Sequence, residues 1–455
     1  MKNTRISVFE DYPIKKAVLI QVVPAIASQM ITLIYSLADT YFVGLLNDPR
    51  QTAAVTVAFP SFLMLTAISN LFGIGGASAI SRALGRNDSH AARCISAISI
   101  WCGLLAACCF SLLFARLKTP ILYLCGASSE TFPWAARYAQ WVIVLGGPFT
   151  VMNTLLANLV RAEGGANYAS IGVSFGGLLN LLLDPLLILP SFLELGTVGA
   201  GIATALSNMG ATAFFLIYLL KNRTSTVLSP SFSRLRFTPQ YLKTILSIGF
   251  PSAVQYALTV FAVSAQSKFI SKYSDQAVAA FGIAKKLDQL PLYFSLGVAN
   301  GLLPLLAYNH AAGNIQRKNS AFQLGCIISS SFSMLCVVLY EIFAEPLSTI
   351  FIKDSVTIAY SASFLRRMVI AMPLMALCYL IIIQFQAMGR FKESLLCSIL
   401  RKGVLDIPIL FFMDRLVPLY GCMWVQPIVD SISLVVSSIL CWRIYQTERL
   451  SPPPE

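Results

Sequence analysis

A chain of 455 residues that is 56% hydrophobic and only 12% charged, with a mean hydropathy of +0.72, is not a water-soluble globule. Soluble domains carry roughly twice that share of charge. The formal net charge of +13 reads as basic residues filling the loops of a polytopic membrane protein. No nucleic-acid partner is expected.

Twelve stretches approach the roughly 20 apolar residues that a bilayer helix needs. They run at about 17–45, 53–80, 93–115, 134–160, 168–190, 197–220, 244–270, 277–307, 320–343, 359–388, 394–413 and 418–445. Met1 to Lys16 is mixed and charged, and the apolar stretch after it is far longer than the roughly 7–15-residue core of a signal peptide. No cleavable signal is expected. The first stretch carries Asp39, with Tyr35 one turn earlier and Pro24 as the best hinge candidate. The fifth carries Asp184, with Asn180 one turn earlier, and the sixth carries Thr204. An ionisable group inside a bilayer is costly unless it faces a cavity or a partner, so the two acids are functional candidates by default. Asp39 stands 23 residues beyond Lys16, ~34 Å at the helical rise, and Asp184 stands 20 beyond Gly164, ~30 Å. Both fall in the outer half of the membrane. Oxygen ligands of this kind suit Na⁺ or a shared proton.

A basic, Ser/Thr/Pro-rich segment at 221–243 divides an N-terminal lobe, 1–220, from a C-terminal lobe, 244–455. The halves repeat. Pro24 matches Pro251, Asp39 falls opposite Gln266, Pro148 matches Pro373, and Gly199 matches Gly421. An even number of helices per half makes this a parallel repeat about the membrane normal. The fold class expected is an all-α polytopic membrane protein, with twelve transmembrane helices in two pseudo-two-fold-related lobes. The seventh helix has Gln255 and Gln266 but no acid. The eighth holds Lys285, Lys286 and Asp288, with Lys285 and Asp288 spaced to pair; they either snorkel to the interface or face the central cleft. Asp406 follows Arg401 and Lys402 closely, which suggests a place near the inner surface. Placing the N-terminus inside puts about 21 Lys and Arg in inner loops against 8 in outer ones, so both termini are expected in the cytoplasm.

Eleven cysteines without CxxC spacing read as small buried hydrophobes, and His90 and His310 are the only histidines. Neither a catalytic cluster nor a nucleotide loop is apparent: Gly73, Gly75 and Gly76 lie in an apolar helix and suit close packing. The chain is not expected to be an enzyme or to need a cofactor.

Ala38-Asp39-Thr40-Tyr41-Phe42-Val43-Gly44 resembles the first-helix signature of multidrug and toxic compound extrusion (MATE) transporters. Arg161-Ala162-Glu163-Gly164 through Asn180 to Asp184-Pro185 resembles their fourth-to-fifth-helix signature, and Val198 to Thr204 their sixth-helix motif. The resemblance covers essentially the whole chain. It implies a monomeric multi-pass exporter of the cell membrane, antiporting H⁺ or Na⁺ against drug-like, often cationic, small organic molecules. It further implies that Asp39, Asn180, Asp184 and Thr204 match the cation cluster, and possible Na⁺ ligands, of the DinF-like and MepA-like branch. Tyr35, Tyr138 and Asn153 match cavity positions more loosely, and Gln255, Gln266, Lys285 and Asp288 are candidates to line the cavity from the second lobe. The absence of acids in the seventh and tenth helices departs from the NorM-like pattern. The alternative is a flippase for lipid-linked or cell-wall precursors, from the wider superfamily.

Overall fold

In a computed structural model the described residues are 6–46, 48–189, 193–231 and 239–450. They form, in chain order, α1 (Ile14–Gly44), α2 (Pro49–Gly85), α3 (Ser89–Leu124), α4 (Phe132–Ala139, Gln140–Leu145 and Gly147–Ala162), α5 (Ala166–Ile188) and α6 (Gly196–Lys221). The second half gives α7 (Pro239–Ile270), α8 (Asp275–Ala311), α9 (Ile315–Thr349), α10 (Ser355–Met368 and Ala371–Met388), α11 (Phe391–Ile399, Leu400–Val404 and Asp406–Leu416) and α12 (Gly421–Leu450). Ten of these helices are singly long and apolar enough to cross a membrane, and bent α4 makes an eleventh. Broken α11 completes the two six-helix lobes. The inter-lobe segment is shorter than expected, because α7 already begins at Pro239. Its residues 232–238, and the extreme termini, lie outside the described residues.

Local chemistry sets the helix starts. The side chains of Asp48, Asp88, Ser274 and Asp354 accept from backbone N–H groups at the first turns of α2, α3, α8 and α10. Such caps satisfy donors that a helix end leaves unpaired. Most interior prolines sit in continuous helix. Pro24 breaks nothing in α1, whereas α4 bends by 46° at the Gly146-Gly147-Pro148 corner.

An even number of spans puts both termini on one face. Toward that face a single hydrophobic core runs through both lobes, with Val18, Val22, Phe72 and Ile80 of the first half packed among Ile245, Val298, Leu302 and Leu380 of the second. Toward the opposite face the cores are separate: one holds Val43, Leu65, Phe114 and Val142, the other Phe281, Tyr340, Phe364 and Met423. Helices in lipid gain little from the hydrophobic effect on meeting and need close packing instead. Glycine supplies it where α2 meets α7: a Cβ on Gly249 would stand 1.8 Å from the Leu71 carbonyl oxygen, and one on Gly75 2.2 Å from that of Ile245. The lobes are thus closed together on the terminal face and apart on the other.

Candidate cation site

Asp39 lies near the far end of α1, and Asp184 near the far end of α5. α1 and α5 pack against each other. The Tyr35 ring lies on Gly177 of α5, where any side chain would collide with it. The two carboxylates are within electrostatic reach of each other, and both act on the hydroxyls of Tyr35 and Tyr138. Asp184 and Asn180 are buried, and Asn180 Nδ2 donates to Asp184 Oδ1 at 3.3 Å. One oxygen of each acid, and Asn180 Oδ1, is buried without a hydrogen-bond partner among the described residues. A buried negative charge with unanswered lone pairs is unfavourable by several kcal/mol. A proton or a small cation removes that cost, so the group is chemically fitted to take either.

The other residues expected around the acids are placed unequally. Thr204 Oγ1 donates to Ala200 O of its own helix at 3.0 Å. The Thr204 carbonyl accepts from Asn208, whose side-chain oxygen accepts from Asn153 of α4 at 2.9 Å. Thr204 and Asn153 therefore belong to a polar seam between α4 and α6, and neither is hydrogen-bonded to the acids among the described residues.

In the second lobe the expected residues are also placed unequally. Gln266 does not offer its amide nitrogen to a cleft: it is buried and Nε2 donates to Cys422 O of α12 at 2.6 Å. Gln255 is buried as well. Lys285 and Asp288 do pair, at 3.5 Å. But α8 starts at Asp275, so Lys285 is ~15 Å along the helix. Its ammonium also lies 5.7 Å from the Phe281 ring centre, one turn back toward the start of α8, and the side chain is 23% exposed. Arg401, Lys402 and Asp406 are buried, and they stand ~15–22 Å along α11 from its start at Phe391, away from the face that holds the termini.

Sequence reasoning missed the cluster that these residues build. α11 opens into a π-turn at Leu400–Val404, where Lys402 has non-helical dihedrals (φ −129°, ψ 23°). Arg401 Nε pairs with Asp430 Oδ1 of α12 at 2.8 Å, both fully buried, and its guanidinium lies 4.1 Å from the Tyr379 ring centre. Gln426 Nε2 donates to Asp430 Oδ2 at 2.9 Å, and Lys402 Nζ donates to Gln426 Oε1 at 2.7 Å. The signal for the cluster was present as a repeat of spacing, because Asn180 and Asp184 stand four apart, as do Lys402 and Asp406.

Comparison with known proteins fits this geometry. The MatE family model matches residues 24–186 and again 251–412. The multidrug export protein MepA of Staphylococcus saprophyticus is 30% identical over 444 residues, covering 98% of this chain and 97% of that protein. MepA of Staphylococcus aureus is 29% identical over 446 residues, with the same coverage. A solved outward-facing multidrug resistance MATE family transporter superposes with a TM-score of 0.92 at 23% identity, covering 99% of each chain. A MATE crystal structure in a bent conformation gives 0.86 at 23% identity, again over 99% of each.

Proposed function

The chain belongs to the MatE family, and on that premise we propose that it is a secondary active multidrug exporter that takes up H⁺ or Na⁺ in exchange for drug-like organic molecules, many of them cationic. The observation that carries the reading is the fully buried Asp184 and the half-buried Asp39, each with one buried oxygen unanswered, on the packed helices α1 and α5. A cation bound there supplies the charge that the lobe lacks. It also has a reason to favour one lobe arrangement, which is the condition for coupling.

The proposed cycle runs between the arrangement described, closed on the terminal face, and its reverse. A cation arriving from the far side neutralises Asp39 and Asp184, weakens their hold on a cationic substrate, and repacks α1 against α5. Substrate leaves outward, the lobes rock, and the cation departs to the side of the termini. In this scheme residues 1–220 and 244–455 move as bodies about the 221–243 connection. Both termini face the cytoplasm of a cell whose plasma membrane holds the protein, and one chain suffices because it carries both lobes.

The test is expression of Asp39→Asn and Asp184→Asn in cells stripped of their own exporters. Both variants should reach the membrane at normal levels, yet drug resistance should fall to that of cells without the protein. Reconstituted protein should show substrate movement driven by an imposed pH or Na⁺ gradient. Full resistance in both variants sinks the proposal.

A further inference from the structure

The buried cluster of the second lobe reads as a filled counterpart of the acid pair. Gly199 and Gly421 correspond in α6 and α12; five residues on stand Thr204 and Gln426, and nine on stand Asn208 and Asp430. In α5, Asn180 and Asp184 are followed at once by Pro185; in α11, Lys402 and Asp406 are followed by Pro408. In α1 and α7, Asp39 corresponds to Gln266. Each member of the first-lobe group thus has a polar partner in the second, and one partner is itself a cation.

The charges show what that cation does. In the first lobe the two acids have no cationic side chain bonded to them among the described residues. In the second lobe Lys285 is paired with Asp288, and Arg401 with Asp430. That leaves Asp406, buried with Oδ2 unpartnered, and Lys402, whose ammonium is bonded to Gln426 and lies in the opposing fields of Arg401 and Lys285 on one side and of Asp406 and Asp430 on the other. The π-turn delivers this ammonium into the lobe: a π-bulge shifts one side chain out of helical register and is common at functional positions.

We propose that the Lys402 ammonium is a tethered stand-in for a free cation, held at Gln426 Oε1 and balancing the buried charge of Asp406, whose carboxylate lies beyond ion-pair distance. With the lysine in place this lobe takes no free cation. Removing its side chain leaves one uncompensated buried negative charge and a space beside Gln426 Oε1, which Na⁺ or a small alkylammonium fills. Hard oxygen ligands suit Na⁺, and methylammonium reproduces the lost head group. The correspondence with Asp39 and Asp184 rests on the reading above, whereas the chemistry of Lys402 does not.

The experiment is thermal melting of the purified full chain in detergent, carrying Asp39→Asn and Asp184→Asn so that the first lobe is silent. In buffer with N-methylglucamine as the only cation, Lys402→Ala should melt several degrees below this background. Na⁺ or methylammonium should restore the melting temperature with saturation. The background with Lys402 intact should not respond, nor should Lys402→Ala combined with Asp406→Asn, which removes both charges. A flat response from Lys402→Ala, or an equal response from the background, overturns the proposal and leaves the cluster a structural ion-pair network. So does a Lys402→Ala protein that cannot be isolated even in Na⁺ or methylammonium, whether or not the charge-balanced variant can. Cation stabilisation confined to protein that retains Asp39 and Asp184 would support the first-lobe site and reject this one.

Discussion

Asp184 and Asp430 are both fully buried acids, and they differ in what answers them. Asp430 receives Arg401 at 2.8 Å and Gln426 at 2.9 Å; among the described residues Asp184 receives only the Asn180 amide, at 3.3 Å. Breaking a buried pair by removing one partner costs about 3–5 kcal/mol, whereas replacing both with apolar groups of like size is close to neutral. Arg401→Met should therefore destabilise by about that amount, seen as loss of folded protein after mild heating. Arg401→Met with Asp430→Leu should recover most of it; a double variant as unstable as the single one would show that the pair does more than satisfy itself. The acids of the first lobe were legible in the sequence because a carboxylate in an apolar run has few innocent explanations. Arg401 and Lys402 were not, since two bases close behind Arg390 and Lys392 look like one loop. Their burial depends on a π-turn and on an acid 29 residues away, neither of which leaves a local pattern.

At the scale of helices, hydropathy placed all twelve spans to within a few residues at most ends, though α3 runs on to Leu124 rather than ending near 115. Breaks were less legible. Pro24 was the best hinge candidate, yet α1 is continuous through it. Apart from the π-turn of α11, the interruptions fall instead at Gly146, at Phe343 with φ −107° and ψ 17°, and between Met368 and Ala371. Each precedes a proline by two or three residues (Pro148, Pro346, Pro373). A proline removes one backbone bond wherever it sits, but a neighbouring helix decides whether the helix then bends. Close approach is governed likewise. At Gly249 any Cβ meets the backbone of Leu71, which no rotamer change relieves. Gly249→Val should push α7 off α2 and disfavour closure on the terminal face while leaving each lobe folded. Transport should be lost, and a cysteine placed in that seam should become reactive to a water-soluble thiol reagent. Normal transport with an unreactive seam would show that α2 and α7 can meet elsewhere.

For the molecule as a whole, the repeat preserves the scaffold and not the charges. Both halves place polar groups at corresponding depths, yet among the described residues the first lobe leaves its acids without a base, whereas the second pairs Asp288 and Asp430 with its own bases and leaves one oxygen of Asp406 open. The sequence shows the asymmetry at one position, Gln266 opposite Asp39, and the structure explains why that position cannot simply be exchanged. The Gln266 amide donates to Cys422 O, which an aspartate cannot do, and the lobe behind it already contains Lys402. If the first lobe alone couples, Asp39→Asn combined with Gln266→Asp should transport no better than Asp39→Asn by itself, and it should be less stable because Cys422 O loses its donor and a further acid is buried. Drug efflux measured beside membrane expression decides the matter. Recovery of efflux in the double variant would mean that the lobes are interchangeable and that coupling follows the number of acids and not their place. A two-lobed machine needs only one lobe to feel the ion, since the shared core on the terminal face makes any repacking of α1 a force on α8 as well.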